Sequence, residues 1–67
     1  MKLSYYPETD SLYLDLLEGS SVDSVEISEG VVLDYDAGGA LVGIDIDNAS
    51  RKVRIKDLVL NLMNQAT

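Results

Sequence analysis

The chain has 67 residues, 12 of them acidic and five basic, and it contains no histidine, cysteine or tryptophan. This length predicts a single domain with a small core and a thin stability margin, which makes self-association a reasonable expectation. The absence of cysteine excludes disulfides and thiol nucleophiles, and the absence of histidine removes the usual general base and the commonest ligand of zinc, copper and haem iron, so we expect no cofactor.

The two parts of the chain carry opposite charge. Residues 1–50 hold eleven acids and one base, whereas residues 51–67 hold four bases and one acid. The acidic part repels nucleic-acid phosphates. The basic segment RKVRIK, residues 51–56, is short, and neutralising acids of the same molecule is its simpler role. We therefore expect no nucleic-acid partner.

The chain shows no feature that directs it to a membrane. Its first ten residues lack the apolar stretch of a signal peptide, and no window approaches the roughly 18 apolar residues of a membrane span. These observations predict a cytoplasmic, soluble protein without membrane contact.

Short runs of alternating apolar and polar residues predict five β-strands. They cover residues 2–6, 12–17, 22–28, 31–35 and 40–46. The side chains predicted to face the core are Leu3, Tyr5, Leu12, Leu14, Leu16, Val25, Ile27, Val31, Leu33, Tyr35, Val42, Ile44 and Ile46. The first two strands are separated by a predicted turn over Pro7–Ser11. Strands so closely spaced, with no helical run between them, favour an antiparallel β-meander.

The hydrophobic period changes after Asn48. Apolar residues then recur at intervals of three and four, which predicts a C-terminal helix from Lys56 to Gln65. We expect this helix to pack on one open face of the sheet. The sequence thus predicts an α+β, mostly β fold in one domain, with the antiparallel sheet in residues 1–50 and the basic segment and helix in residues 51–67.

The predicted hairpin VVLDYDAGGALVGIDI, residues 31–46, carries aspartates in a pattern that resembles a calcium-binding loop. Asp34, Asp36 and Asp45 match three of the ligand positions of an EF-hand. Two other ligand positions fall on Gly38 and Val42, which have no side-chain oxygen, and both flanks are predicted strands rather than helices. The pattern therefore gives no metal site.

Strand register leads to the same interpretation of the hairpin. A two-residue turn at Ala37 and Gly38 places the inward residues of both strands on one face and sets Asp34 opposite Leu41. Asp45 then lies about 13 Å from Asp34, which is too far for two ligands of one ion. We expect these aspartates to be solvated acids.

Three motifs in the first 50 residues resemble a known family. They are YYPETDSLYLDL, GVVLDYDAGGALVGIDI and NAS, and together they are similar to the uncharacterised prokaryotic family named domain of unknown function 2283. The matching residues are Tyr5, Pro7, Glu8, Asp10, Leu12, Tyr13, Leu14, Gly30, Leu33, Asp34, Tyr35, Asp36, Gly43, Ile44, Ala49 and Ser50. The resemblance implies a small, mostly β protein without established catalytic residues. Because some relatives are encoded beside small toxin-like proteins, the resemblance also implies an antitoxin-like or regulatory role.

The outer face of the predicted sheet is the candidate partner-binding surface. It combines acids with aromatic and apolar residues, and tyrosine is enriched at binding hot spots while complementary charge speeds association. Its members are Tyr6, Tyr13, Val32, Asp34, Asp36, Leu41, Asp45 and Asp47. The first hypothesis is therefore a small acidic protein-interaction module that binds a basic protein.

Two other hypotheses stay open. The chain could form a homodimer with a structural or regulatory role, joined through an edge strand or through the helix, where Leu60 lies off the main apolar stripe. A carboxylate enzyme would pair Glu8 with Asp10 beside Tyr5 and Tyr13. An exposed turn leaves such carboxylates with ordinary acidity, so we expect the protein not to be an enzyme.

Overall fold

The computed structural model describes residues 1–54, 56 and 57. The described chain forms five strands and one short helix: β1 (Lys2–Tyr6), β2 (Ser11–Asp15), β3 (Asp23–Ser28), β4 (Val31–Tyr35), β5 (Leu41–Ile46) and α1 (Ala49–Lys52). All five strands belong to one antiparallel sheet. The predicted α+β, mostly β fold class is confirmed, and each predicted strand agrees with the observed one to within two residues at either end.

The strand order departs from a simple meander at one connection. The order is β1-β2-β5-β4-β3, so β5 lies in the middle of the sheet, between β2 and β4. This position suits β5 because Val42, Gly43 and Ile46 are buried. The Leu16 and Leu17 N–H groups donate to the Val42 carbonyl at 2.8 and 3.3 Å, which extends the contact between β2 and β5 before the chain crosses to the far edge.

The register of the hairpin between β4 and β5 differs from the predicted one. Asp34 pairs with Gly43 rather than with Leu41, and the connection runs over residues 36–40 rather than through a two-residue turn at Ala37 and Gly38. A bulge shifts the register between Asp34 and Tyr35. The same faces meet as in the predicted register because the pairing moves by two residues, the period of a strand.

Asp36 accounts for the longer connection. One oxygen of its carboxylate accepts hydrogen bonds from the N–H groups of Gly38 and Ala40, both at 2.9 Å. Gly39 supplies the positive φ of 85° that the loop needs. An aspartate side chain that accepts a hydrogen bond from the N–H two residues further on stabilises the turn that follows it. The prediction of a two-residue turn did not take this hydrogen bond into account.

The core lies on one face of the sheet and under the short helix. Leu12 and Ala49 are fully buried and Ile46 nearly so, and these three residues form one cluster. Pairing of Leu12 with Ile46 in adjacent strands places both on this core face. The partly buried residues packed against the cluster are Leu3, Leu14, Val31, Ile44 and Val53.

Three residues predicted to face the core remain substantially exposed. Val25 and Ile27 are 45% and 59% exposed, and Tyr5 is 36% exposed. The prediction of their burial was wrong because β1 and β3 are the two edges of the sheet. Val25 pairs with Leu33 and so does lie on the core face, but it is not among the residues packed against the buried cluster of Leu12, Ile46 and Ala49.

Helix α1 depends on a cap from the other end of the chain. Its N-cap residue Asn48 makes no side-chain cap and has a left-handed φ of 52°. The Asp10 carboxylate instead accepts hydrogen bonds from the Ser50 hydroxyl at 2.7 Å and the Ser50 N–H at 3.1 Å, while the Asp10 carbonyl accepts from Ala49 N–H at 2.9 Å. The Tyr5 hydroxyl donates to the same carboxylate at 2.7 Å. One turn thus supplies the acceptors that the free N–H groups of the first helical turn require.

Lys52 attaches the C-terminal end of α1 to the loops beside the sheet. Its Nζ donates to the backbone carbonyls of Glu29 and Asp47, both at 2.7 Å. The Asp47 N–H in turn donates to the Gly30 carbonyl at 2.7 Å. The sequence predicted that the basic segment neutralises acidic side chains of the same molecule. Lys52 instead binds main-chain carbonyls.

The predicted C-terminal helix over residues 56–65 lies outside the described residues except for Lys56 and Asp57, which are helical. Leu60 also lies outside them. Arg54 and Asp57 form an ion pair at 3.8 Å, and because both side chains are exposed this pair contributes little to stability. Within residues 1–54 and 56–57, no helix has both the length and the apolar character to cross a membrane.

We predict that Asp10→Asn destabilises the fold at pH 7 and that Ser50→Ala does so by about 1 kcal/mol, the scale of one hydrogen bond. Hydrogen bonds from Tyr5 and Ser50 lower the pKa of Asp10, and Arg51 adds to this. The stabilisation is therefore present above the ordinary aspartate pKa of about 3.9 and is lost as pH falls through the folded-state pKa. Urea unfolding between pH 7 and pH 2 should show the wild-type and Asp10→Asn midpoints converging.

Glu8→Gln is the matched control, because Glu8 is an exposed acid in the same turn and accepts no hydrogen bond from the described residues. It should leave the unfolding midpoint unchanged. An Asp10→Asn protein as stable as wild type at pH 7 would contradict the assigned cap.

Candidate functional site

The candidate site is the face of the sheet opposite the core, which we call the outer face. Cross-strand pairing fixes its members, because paired residues point to the same side. Tyr13 pairs with Asp45, Asp45 pairs with Val32, and Asp34 pairs with Gly43 and with Ser24. Carboxylates of two central strands therefore lie beside a tyrosine on one surface.

Gly43 makes room for the Tyr13 ring. A Cβ on Gly43 would overlap the Tyr13 hydroxyl and lie 2.6 Å from Cζ, so the ring lies directly over this glycine. The Tyr13 hydroxyl donates to Asp34 Oδ2 at 3.4 Å, and the Ser24 hydroxyl donates to Asp34 Oδ1 at 2.6 Å. A chain of polar contacts consequently runs from β2 across β5 and β4 to β3. These contacts hold Tyr13 and Asp34 in place on the outer face.

Negative charges on the outer face repel one another. Burial raises the pKa of Asp45, and the negative charges of Asp47 and Asp34 raise it further. Burial also raises the pKa of Tyr13, with added contributions from the neighbouring aspartates. Both pKa shifts have the same sign because burial and the neighbouring negative charges each disfavour the ionised form of the group. A positive group placed there would relieve this repulsion.

A shallow groove opens at one end of the outer face. Its volume is about 410 Å³. Tyrosine rings, hydroxyl groups and carboxylates line it, and the residues are Tyr6, Thr9, Ser11, Tyr13, Asp45 and Asp47. Neither the Asp45 nor the Asp47 carboxylate accepts a hydrogen bond within the described part of the chain. Their oxygens are thus available to a ligand.

The structure brings most of the predicted partner-binding residues together. The six on the outer face or in its groove are Tyr6, Tyr13, Val32, Asp34, Asp45 and Asp47. Asp36 lies in the hairpin loop beyond β4, where its carboxylate bonds the backbone. Leu41 lies at the bulge opposite Tyr35, outside the regular alternation of the strand. These two residues do not join the others.

The aspartates do not form a metal centre in the part of the chain that the structure describes. The observed register makes Asp34 and Asp45 diagonal neighbours, about 7 to 8 Å apart rather than the predicted 13 Å. Asp36 is engaged in its own loop. No group of three or more acidic side chains among the described residues is placed to hold a metal ion.

The residues of the carboxylate-enzyme hypothesis do not converge on one surface. Tyr5 pairs with Leu12 and lies on the core face, whereas Tyr13 lies on the outer face. Asp10 accepts hydrogen bonds from Tyr5 and Ser50, and its lowered pKa makes it a poor proton donor and a weak base. Glu8 is exposed.

Comparison with known families identifies the chain. A family model described as "Protein of unknown function (DUF2283)" matches residues 2–50. The match covers most of the chain, so the chain belongs to this family, and the resemblance noted in the sequence is confirmed. No curated protein and no solved structure gives a significant match.

We predict that Gly43→Ala destabilises the protein by about 1 to 3 kcal/mol, the scale of an overpacked site. Glycine in a strand interior usually costs stability relative to alanine, so the sign here is the reverse of the ordinary expectation. The added methyl group must displace the Tyr13 ring and break its contact with Asp34. Thermal unfolding and the NMR signals of the Tyr13 ring would measure both effects.

Gly38→Ala is the matched control for this substitution. The nearest atom to a Cβ at Gly38 is Asp36 Oδ1 at 3.5 Å, an ordinary contact. This variant should fold with wild-type stability and an unmoved Tyr13 ring. A Gly43→Ala protein that is equally stable would show that Tyr13 does not lie over Gly43.

We also predict that Asp45→Asn stabilises the protein at pH 7 and low salt, by less than about 1 kcal/mol, the scale of exposed charge interactions. The pKa of Asp45 is raised in the folded state, so its ionised form costs stability above the folded-state pKa. This cost disappears below the ordinary pKa of about 3.9. The gain should therefore vanish at pH 3, and molar salt should remove the part that comes from the charges of Asp47 and Asp34, because salt screens charge interactions. A Glu18→Gln control, at an exposed loop acid, should show no comparable gain.

Proposed function

We propose that this member of the family is a protein-interaction module that binds a basic protein through its outer face. The observation that carries the proposal is the ordered Tyr13 ring among the carboxylates of Asp34, Asp45 and Asp47. Repulsion among these acids is a cost that the free protein bears and that a positively charged partner would remove. This relief is a specific source of binding free energy.

Preorganisation further supports binding at this face. Tyr13 is held over Gly43 by contact with the backbone and by its hydrogen bond to Asp34. A side chain that is already ordered loses little conformational entropy when a partner binds. Tyrosine also offers both an apolar ring and a hydroxyl, which is why it is common at binding hot spots.

The groove favours a lysine or arginine side chain from the partner. Tyr6 and Tyr13 provide aromatic surface against which the methylene stem of such a side chain can lie. Asp45 and Asp47 provide carboxylate oxygens for the positive group at its end. The family resemblance implies an antitoxin-like or regulatory role. In such a role the acidic chain would bind and cover a small basic protein.

A binding role fits the chain better than catalysis. The enzyme hypothesis rests on the carboxylates of Glu8 and Asp10, but Asp10 already serves as the cap of α1. The Asp10 carboxylate already accepts hydrogen bonds from Tyr5 and from the Ser50 N–H and hydroxyl. These structural hydrogen bonds leave it poorly suited to act on a substrate. We therefore propose that the protein is not an enzyme. The alternative binding role, a homodimer, has one observation in its favour, the exposed apolar edge of β3.

The proposal can be tested by measuring the affinity of a basic partner for the wild-type chain and for variants with equal net charge. A tagged wild-type chain would identify a basic protein partner in its native host, and the partner would then be purified for calorimetry. We expect Asp45→Asn/Asp47→Asn to weaken binding by at least about tenfold, which is about 1.4 kcal/mol. Affinity should also fall as salt is raised.

Glu18→Gln/Asp23→Asn changes the net charge by the same amount at exposed positions that do not line the groove. We expect this variant to bind with an affinity within about twofold of wild type, since only long-range attraction is reduced. Equal losses for the two double variants would assign binding to net charge rather than to the outer face. An unchanged affinity for Asp45→Asn/Asp47→Asn would exclude the groove.

A further inference from the structure

We infer that the outer edge of β3 pairs with the same edge of a second copy of this chain, which joins two sheets about a two-fold axis. β3 is an end strand of the sheet, and all six of its residues are exposed. It carries apolar side chains at this edge: Val25 is 45% and Ile27 59% exposed, and Val22 just before the strand is 64% exposed. The inference is independent of the proposed function.

The hydrogen bonds of the sheet show which groups of β3 point outward. Alternate residues of an antiparallel strand bond to the neighbour on one side and then to the neighbour on the other. Asp47 N–H donates to the carbonyl of Gly30, the residue before β4, at 2.7 Å. The even-numbered residues of β4 therefore form their backbone hydrogen bonds with β5. The Tyr35 carbonyl accepts from Val22 N–H at 2.9 Å, so odd-numbered residues of β4 bond to the β3 side.

The pairing of β3 with β4 completes this assignment. Val25 is opposite Leu33, an odd-numbered residue of β4, so these two residues exchange their backbone hydrogen bonds. Ser24 and Glu26 are opposite Asp34 and Val32, which bond to β5 instead. The N–H and C=O groups of Ser24 and Glu26 therefore point away from the sheet. They form an open row of donors and acceptors.

One register satisfies these groups and the side chains together. With the two-fold axis at Val25, each Val25 lies opposite Val25 of a second copy, and Ser24 lies opposite Glu26. The pair Ser24 and Glu26 then exchanges backbone hydrogen bonds on both sides of the axis. Core-face residues meet core-face residues, because directly paired residues share a face. A shift that centres the axis on Glu26 would instead set two glutamates directly opposite each other, which is destabilising.

The other edge of the sheet is less suited to pairing. β1 carries Lys2 and is followed by Pro7, and lysine and proline at an edge both oppose strand addition. β3 carries two acids, Asp23 and Glu26, but neither lysine nor proline. A register shift between Glu26 and Ser28 ends its regular pairing at Glu26. The paired segment is therefore short. We expect a dimer that dissociates on dilution and that tightens in salt, because each chain has a net charge of −7.

The test compares two substitutions at Glu26 by sedimentation equilibrium. Glu26→Pro removes the outward N–H and places a proline ring on the edge, but leaves the hydrogen bonds to β4 intact. Glu26→Ala removes the same side chain, including its contact with Gly30 N–H, and keeps the backbone N–H. We expect wild type and Glu26→Ala to approach twice the 7.3 kDa chain mass as concentration rises. Glu26→Pro should remain monomeric at least tenfold above that range.

A second pair of variants tests the axis without changing the backbone. Val25→Lys places two like charges opposite each other at the two-fold axis, whereas Val25→Thr keeps the shape of the side chain. We expect Val25→Lys to abolish the dimer and Val25→Thr to retain it, with both monomers folded by circular dichroism. A wild-type chain that stays at 7.3 kDa at millimolar concentration would overturn the inference. So would a dimer that survives in both Glu26→Pro and Val25→Lys.

Discussion

The Asp10 carboxylate is the interaction on which the arrangement of the fold depends. It accepts hydrogen bonds from Tyr5 on β1 and from Ser50 in α1, and so joins the first strand to the helix that follows the last one. A helix of four residues has too few internal hydrogen bonds to persist alone. Asp10 at one end and Lys52 at the other attach it to the sheet, and Ala49 then covers Leu12 and Ile46. The small core therefore relies on polar contacts at its rim.

The residues that carry the resemblance to the family mostly serve this scaffold. Tyr5, Asp10 and Ser50 form the cap, and Tyr13, Gly43 and Asp34 order the outer face. Asp36 closes the hairpin loop. The family motif thus describes how the sheet is built, and the same contacts leave a charged, preorganised surface. Pro7 and Glu8 are exceptions: both are exposed, and the structure gives Glu8 no partner among the described residues.

Strand positions and faces could be predicted from alternation, because side chains on a half-buried strand change sides at every residue. Three features could not. The loop at Asp36 depends on a side chain that bonds its own backbone. The exposure of Val25 depends on β3 being an edge, which local pattern does not encode. The contact between Asp10 and Ser50 joins residues 40 positions apart. Of the candidate site, alternation placed Tyr13, Asp34 and Asp45 together, whereas the exclusion of Leu41 required the observed bulge.

The central position of β5 has a consequence for how the chain folds. The hairpin of β1 with β2 and the hairpin of β3 with β4 share no pairing, and only β5 connects them. Isolated hairpins are marginal in water. During synthesis neither hairpin has its neighbour until residues 41–46 emerge, and the helix follows later still. Three of the four strand pairings join consecutive strands, whereas the pairing of β2 with β5 joins residues as far apart as Leu12 and Ile46. This distant pairing is the step that unites the two hairpins, and we expect it to make folding strongly cooperative.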